Sequence, residues 1–351
     1  MQIYKLLSKK INIITFFLYY FFVITIVELF KMKHIKKYLA QELLIFEQTF
    51  NKAVESQVSL LDKIMKYIVS NKGKQLRPMF VLLAAKIFSS TNETTFRAAS
   101  LIELLHTATL VHDDVVDDSD KRRGFFSINA LWQNKIAVLV GDYLLSKGLL
   151  LSLSNGDFKI LEILSTAVKE MSEGELLQAE KARKLDISEE IYFEIIRCKT
   201  ASLISSACGA GAYSVTKDEA KTAIMQKFGE KVGIAFQIKD DLFDYGKADI
   251  GKPTGNDIKE KKMTLPLIYT LNNCDKNTKN KIIHIFKNAQ KKKHEVKYII
   301  DTVTQAGGIL YAENKMKEYI NDAFEILNTL PQNDANKYMK DLVNYTIERK
   351  Y

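Results

Sequence analysis

Residues 104–124 read LLHTATLVHDDVVDDSDKRRG, an apolar run that ends in Asp113, Asp114, Asp117, Asp118 and Asp120 within eight positions. The stretch before the aspartates, LIELLHTATLV from 101 to 111, reads as a helix that is apolar almost all round, which places it in the middle of a bundle. Asp113 and Asp117 are four apart, so on a helix both carboxylates share one face, and the same stripe carried backward includes Leu110 and His106. Like charges at this spacing repel and oppose each other's ionisation, so a purely structural role at a buried helix end is unfavourable. Hard divalent cations held by oxygen remove that penalty. An EF-hand does not fit, because the mid-loop glycine and the terminal bidentate glutamate are missing. A solvated acidic cap is at odds with the apolar run that leads into the cluster.

Residues 236–245, FQIKDDLFDY, repeat the DDxxD spacing with Asp240, Asp241 and Asp244, again closing an apolar helical segment. One DDxxD would be weak. Two, each ending a buried helix, suggest metal-binding faces across a common cavity. Magnesium is usually bound through a few carboxylates together with substrate phosphates, so the expected substrate carries a diphosphate. Cationic residues punctuate the same neighbourhoods: Lys74 and Arg77 in NKGKQLRP, Arg122 and Arg123 directly after the first cluster, then Lys199 beside Thr200, Lys239, Lys252 and Lys262. Arginine grips phosphate oxygens bidentately and lysine acts on them as a point charge. Each alone reads as a surface charge; together they supply enough positive charge for two diphosphates.

The rest of the chain agrees with a helical bundle. Its 351 residues are 47% apolar, with four prolines and fifteen glycines, which permits long helices and starves a turn-rich β fold. Polar breaks are expected near 71–73, 89–95, 121–127, 154–157, 245–256, 274–278 and 331–334. No fixed-period repeat or low-complexity linker interrupts residues 32–351, so they read as one catalytic domain. Cys198, Cys208 and Cys274 are odd in number and lack any CxxC context, which argues against a disulfide framework or zinc site and for a reducing, cytoplasmic compartment. The net charge of +9 is modest, and the run Lys287, Lys291, Lys292 and Lys293 reads as a solvated helix end, so no nucleic-acid partner is expected. Residues 1–31 are anomalous. INIITFFLYYFFVITIVELF, 11–30, is flanked by Lys9 and Lys10 and by Lys31, Lys33, Lys36 and Lys37, and no A-x-A site follows. Two readings stay open: a membrane anchor, or an over-extended frame whose translation begins at Met32.

From about Met32 to the C-terminus, these motifs resemble the trans-polyprenyl diphosphate synthase family. The resemblance implies an all-α isoprenoid synthase bundle of roughly ten or more helices around a deep central cavity. It implies condensation of isopentenyl diphosphate onto an allylic diphosphate, giving a long-chain all-trans product that serves a quinone side chain, by a homodimer. It also implies about three magnesium ions on the allylic diphosphate, held by Asp113, Asp114, Asp117, Asp240, Asp241 and Asp244. Arg122 matches the residue that grips the allylic diphosphate, and Lys74, Arg77, His106 and Arg123 match those that hold isopentenyl diphosphate. Lys199, Thr200, Gln237 and Lys262 match residues that steady the allylic diphosphate and the nascent cation, and Lys252 adds charge to the same site. Asp257 fits the pattern without a defined role. The family's double glycine before the lysine is Lys72 and Gly73 here, and His112 fits packing better than catalysis.

Ala108 and Thr109 lie about one helical turn, roughly 5.4 Å, below Asp113, where a growing tail would pass. Both are small, so a product of roughly six to eight units is expected, and Ala108→Phe should shorten it. Close helix packing is the other reason for small residues there. The alternatives at the level of function are a farnesyl or geranylgeranyl diphosphate synthase, or a non-catalytic partner subunit of the same fold. A terpene cyclase would leave Lys74, Arg77 and Arg123 idle.

Overall fold

In the computed structural model, residues 32–71, 73–122, 124–184, 187–246, 255–288 and 291–348 are described. The apolar segment 11–30, Lys72, Arg123 and Lys252 lie outside them. Apart from one short hairpin, the described residues form helices joined by turns: α1 (32–38), α2 (Ala40–Val54), α3 (Ser59–Ser70), α4 (Leu76–Phe88), α5 (Glu93–Val116), α6 (Ile128–Leu153), α7 (Phe158–Lys184) and α8 (Glu189–Ile196). A π turn, Arg197–Ala201, leads into α9 (Ser202–Thr216), followed by α10 (Glu219–Phe243), α11 (Asn256–Lys259), α12 (Leu265–Asn273), α13 (Lys276–Lys287), α14 (Lys293–Gln305), α15 (Gly308–Asn328) and α16 (Asp334–Glu348). The all-α expectation holds.

The expected breaks at 71–73, 89–95, 121–127, 154–157, 274–278 and 331–334 fall at junctions between helices, and most of 245–256 lies outside the described residues. Breaks at 55–58, 217–218, 260–264 and 306–307 were not expected. Several of the polar clusters supply caps. Asn92 and Thr95 exchange side-chain and backbone hydrogen bonds at the start of α5, Ser127 accepts from the Ala130 N–H at the start of α6, and Asp275 accepts from Asn277 and Thr278 at the start of α13. α9 is the centre of the bundle. Its sequence, SLISSACGAGAYSVT, is mostly small, so neighbours approach closely: a Cβ on Gly211 would stand 2.3 Å from the Val81 carbonyl oxygen of α4. α4, α5, α9 and α10 enclose the main core, with Phe80, Leu82, Leu101 and Phe228 among its largest fully buried side chains. A smaller apolar cluster joins α12, α13 and α14 beneath Tyr245 and Ile258.

One feature after the first aspartate cluster leaves no periodic signal in the sequence. There the chain turns back through β1 (Lys121–Arg122) and β2 (Phe125–Phe126), antiparallel strands pairing Lys121 with Phe126 and Arg122 with Phe125. Gly124 takes φ 82° in the turn, a conformation that favours glycine. The hairpin folds Arg122 back over α5.

Candidate active site

α5 carries the first cluster to its C-terminal end. Asp114 is buried and takes a 2.7 Å bond from the Arg122 guanidinium, the contact that the hairpin makes possible. Burial pushes the Asp114 carboxyl above the usual carboxylate range, against the pull of Arg122. Burial also raises Asp113, helped by the Glu175 carboxylate and opposed by Lys199 and Arg122. Asp117 caps the helix and is exposed.

α10 carries the second cluster, and a directed chain of hydrogen bonds fixes it. Thr200 donates to the Gln237 amide oxygen at 2.7 Å, the Gln237 amide nitrogen donates to Asp241 at 2.8 Å, and Tyr192 donates to the other Asp241 oxygen at 2.7 Å. Burial, with Asp257 and Asp240 nearby, pushes Asp241 up to about 7 despite those two donors. Asp244 accepts from the backbone N–H groups of Asn256 and Asp257 at 2.7 and 3.1 Å, which pins the start of α11 against α10. Burial and the Asp244 carboxylate push Asp257 up to about 6, against Lys262. Asp257 is thereby part of the second cluster.

The two clusters face each other, and Lys262 marks the gap. Burial alone would lower its pKa, yet the net shift is upward because Glu260, Asp257 and Asp117 all lie close to its ammonium. Lys199 plays the same part at the other side: its ammonium pairs with Glu175 at 2.5 Å, and both act on Asp113. Lys199, Thr200, Gln237, Asp240, Asp241, Asp257 and Lys262 line one polar cavity with Gln178 and Tyr192. Lys239 turns its ammonium toward the Phe243 ring, 5.2 Å from the centroid.

A second, more apolar cavity lies on the other side of Asp114. Phe46, Phe50, Tyr67, Glu103, His106 and Arg122 line it, with Gly73 and Gln75 at the turn before α4 and Phe125 and Phe126 of the hairpin above. His106 is buried, Arg77 half-buried, and Lys74 is exposed with its ammonium 5.2 Å from the Tyr345 ring centroid. His106 and Arg122 thus share a cavity, whereas Lys74 and Arg77 flank it. Ala108 is fully buried, between Leu105 and His112 in the stripe of α5 that meets α6: Leu105 packs near Gly148, and His112 lies against Gly141. Thr109 keeps some accessible surface, donates to the His106 carbonyl oxygen at 2.9 Å, and lies one turn below Asp113 on the same face.

The donor set suits a hard cation: all carboxylate oxygens, several held above their ordinary pKa by burial and mutual repulsion. Among the described residues no group of three or more His, Cys, Asp or Glu side chains could hold an ion alone. A cation here would need oxygens from a substrate, which is how magnesium is commonly held. Glu175, Gln178 and Tyr192 were not anticipated from the sequence. Their signal was helical spacing: Tyr192, Ile195, Ile196, Lys199 and Thr200 form one stripe, and Glu175 and Gln178 are three apart on α7.

Comparison with known proteins agrees with the all-α fold. The polyprenyl synthetase family profile matches residues 58–303. The all-trans-nonaprenyl-diphosphate synthase (geranyl-diphosphate specific) of Rhodobacter capsulatus is 35% identical, over 89% of this chain and 96% of that protein. The octaprenyl diphosphate synthase of Escherichia coli is 33% identical, over 91% of this chain and 99% of its own. Among solved structures, a polyprenyl synthase from Caulobacter crescentus, complexed with calcium and isoprenyl diphosphate, superposes with a TM-score of 0.84 at 29% identity, covering 91% of this chain and 98% of that one. The chain belongs to the polyprenyl synthetase family and is a chain-elongating prenyltransferase.

Proposed function

We propose that this prenyltransferase adds isopentenyl diphosphate to an allylic diphosphate until a long-chain all-trans product of roughly six to eight units is released. The observation that carries the reading is the pair of aspartate clusters joined by lysines: Lys199 lines the cavity of Asp240 and Asp241 while it pairs with Glu175 and acts on Asp113, and Lys262 lines the same cavity with Asp117 and Asp257 both close to its ammonium. The octaprenyl and nonaprenyl synthases among its relatives support the long-chain assignment.

Asp113, Asp117 and Asp240, with Asp114, Asp241 and Asp244 behind them, would hold magnesium, about three ions by resemblance. Bound there, magnesium would neutralise the allylic diphosphate and make it a better leaving group. The chain's own residues do the rest. Lys199, Lys262 and Arg122, with Lys252, take diphosphate oxygens, and Thr200 and Gln237 present oxygens to the carbon that becomes positive when the C–O bond breaks. Such preorganised dipoles act where charge develops. His106, with Lys74, Arg77 and Arg123, holds isopentenyl diphosphate in the neighbouring cavity, so its double bond meets the allylic carbon without a bimolecular search. The new carbon–carbon bond leaves a cation that loses a proton to the departed diphosphate. The apolar walls keep water from both cations.

Radiolabelled isopentenyl diphosphate, farnesyl diphosphate and magnesium test this directly. A ladder of long polyprenyl diphosphates is expected. Hydrocarbon without incorporated label would make the protein a cyclase, and incorporation only with a second protein added would make it a partner subunit. The reading includes a homodimer and a cytoplasmic domain from Met32 onward, attached to a membrane if residues 11–30 are translated, with the product destined for a quinone side chain.

A further inference from the structure

Between α8 and α9 the chain makes one π turn, closed by the Ser202 N–H donating to the Arg197 carbonyl oxygen, and Lys199 and Thr200 both sit in it. A π turn adds a residue to the helical phase. Lys199 and Thr200 continue the stripe of Tyr192 and Ile196 on the cavity, and the added residue resets the phase of α9 beyond them, which turns its small residues into the bundle.

Two glycines on different helices bracket this turn. A Cβ on Gly174 of α7 would stand 2.7 Å from the Cys198 Cβ and 3.1 Å from the Lys199 backbone nitrogen. A Cβ on Gly233 of α10 would stand 2.4 Å from the Ala201 Cα and 2.7 Å from its Cβ. Both would meet parts of the turn that cannot rotate away. The partners of the two functional side chains come from the same helices. Glu175, next to Gly174, pairs with Lys199 at 2.5 Å, and Gln237, one turn beyond Gly233, accepts from Thr200 at 2.7 Å.

We propose that Gly174 and Gly233 are positioning residues for prenyl transfer: their missing side chains let α7 and α10 close on the π turn from two sides, setting Lys199 and Thr200 toward Asp240 and Asp241. The inference rests on the reading of Lys199 and Thr200 as groups that meet the allylic diphosphate. A methyl at either glycine would displace the turn, and displacement on the order of 1 Å at such groups costs roughly 10- to 100-fold in rate.

Steady-state kinetics and melting temperatures of Gly174→Ala, Gly233→Ala and Gly211→Ala test it. Gly211 meets the α4 backbone as tightly, away from Lys199. The first two should lose turnover at least about tenfold with the KM for isopentenyl diphosphate unchanged, while Gly211→Ala loses comparable melting temperature and keeps turnover within about twofold. Cys198→Gly combined with Gly174→Ala moves the methyl to the other side of the contact and should restore turnover. This double variant decides the matter even if Gly174→Ala does not fold. A folded double variant that stays slow, or losses in Gly174→Ala no greater than in Gly211→Ala, overturns the proposal. Wild-type turnover in Lys199→Ala and Thr200→Ala would instead remove the site reading beneath it.

Discussion

Asp241 is enclosed on all sides and accepts hydrogen bonds at both oxygens, yet burial still pushes its pKa up to about 7. The unfolded value is about 3.9, so between the two the folded protein binds more protons than the unfolded chain, and stability must rise as pH falls. Asp257, at about 6, acts in the same direction. The metal-free protein should therefore resist denaturant better at about pH 6 than at about pH 8, with a slope of up to about 1.4 kcal/mol per pH unit for each such group. Asp241→Asn should flatten the slope, and a metal-free wild type equally stable at both pH values would refute the assignment. Asp113→Ala and Asp240→Ala should lower turnover at least about 100-fold while the melting temperature holds or rises, because each removes charge from a site that repels other carboxylates. More than about a tenth of the wild-type rate at saturating magnesium would rule out metal-assisted ionisation as the source of the rate. The aspartates and Lys199 were legible because four-residue spacing and crowding of like charge are visible in a sequence. Glu175 was not, because it lies on α7, a separate helix that precedes the π turn, and its pairing with Lys199 arises only when the two elements pack together.

At the scale of the element, α5 was readable from the polar break at 89–95 to its aspartates, since apolar periodicity and polar breaks are local. The π turn and the hairpin were not. The first is a one-residue change of phase inside an uninterrupted helical pattern, and the second is held by the Arg122–Asp114 contact and by Tyr67 donating to the Phe126 carbonyl oxygen, neither of which is local. Helical phase also separates the two residues expected to limit chain length. Ala108 has no accessible surface and lies in the stripe that packs on α6, so Ala108→Phe should destabilise the protein by about 1–3 kcal/mol through overpacking. Thr109 shares a face with Asp113 and retains accessible surface, so Thr109→Phe is the variant expected to cut the product to farnesyl or geranylgeranyl length. Thin-layer analysis of the dephosphorylated products, beside denaturant melts of both proteins, checks the pair. A shortened ladder from a stable Ala108→Phe protein, with Thr109→Phe unchanged, would reverse the assignment.

For the whole molecule, α6 poses the remaining question. It packs along α5 on one side, while Leu131, Val138, Leu139, Leu149, Leu150 and Leu153 are each at least 41% exposed. Among the described residues it is the one helix long and apolar enough to cross a membrane, by length and composition alone. Yet one of its faces packs on the bundle through Gly141 and Gly148, where His112 and Leu101 would meet any added Cβ. A bare apolar face on an otherwise packed helix is what a stable homodimer buries, at roughly 800 Å² from each partner. Leu139 and Leu150 are its most exposed leucines, and leucine to glutamate at both places charge where two copies would meet. A protein beginning at Met32 should sediment as a dimer at micromolar concentration, stay in the supernatant with liposomes, and become a monomer when Leu139→Glu and Leu150→Glu are combined. Membrane pelleting that depends on residues 1–31 would identify that segment as an anchor. Pelleting by the shorter protein, abolished by the same two substitutions, would make α6 a membrane-facing surface and end the dimer interpretation.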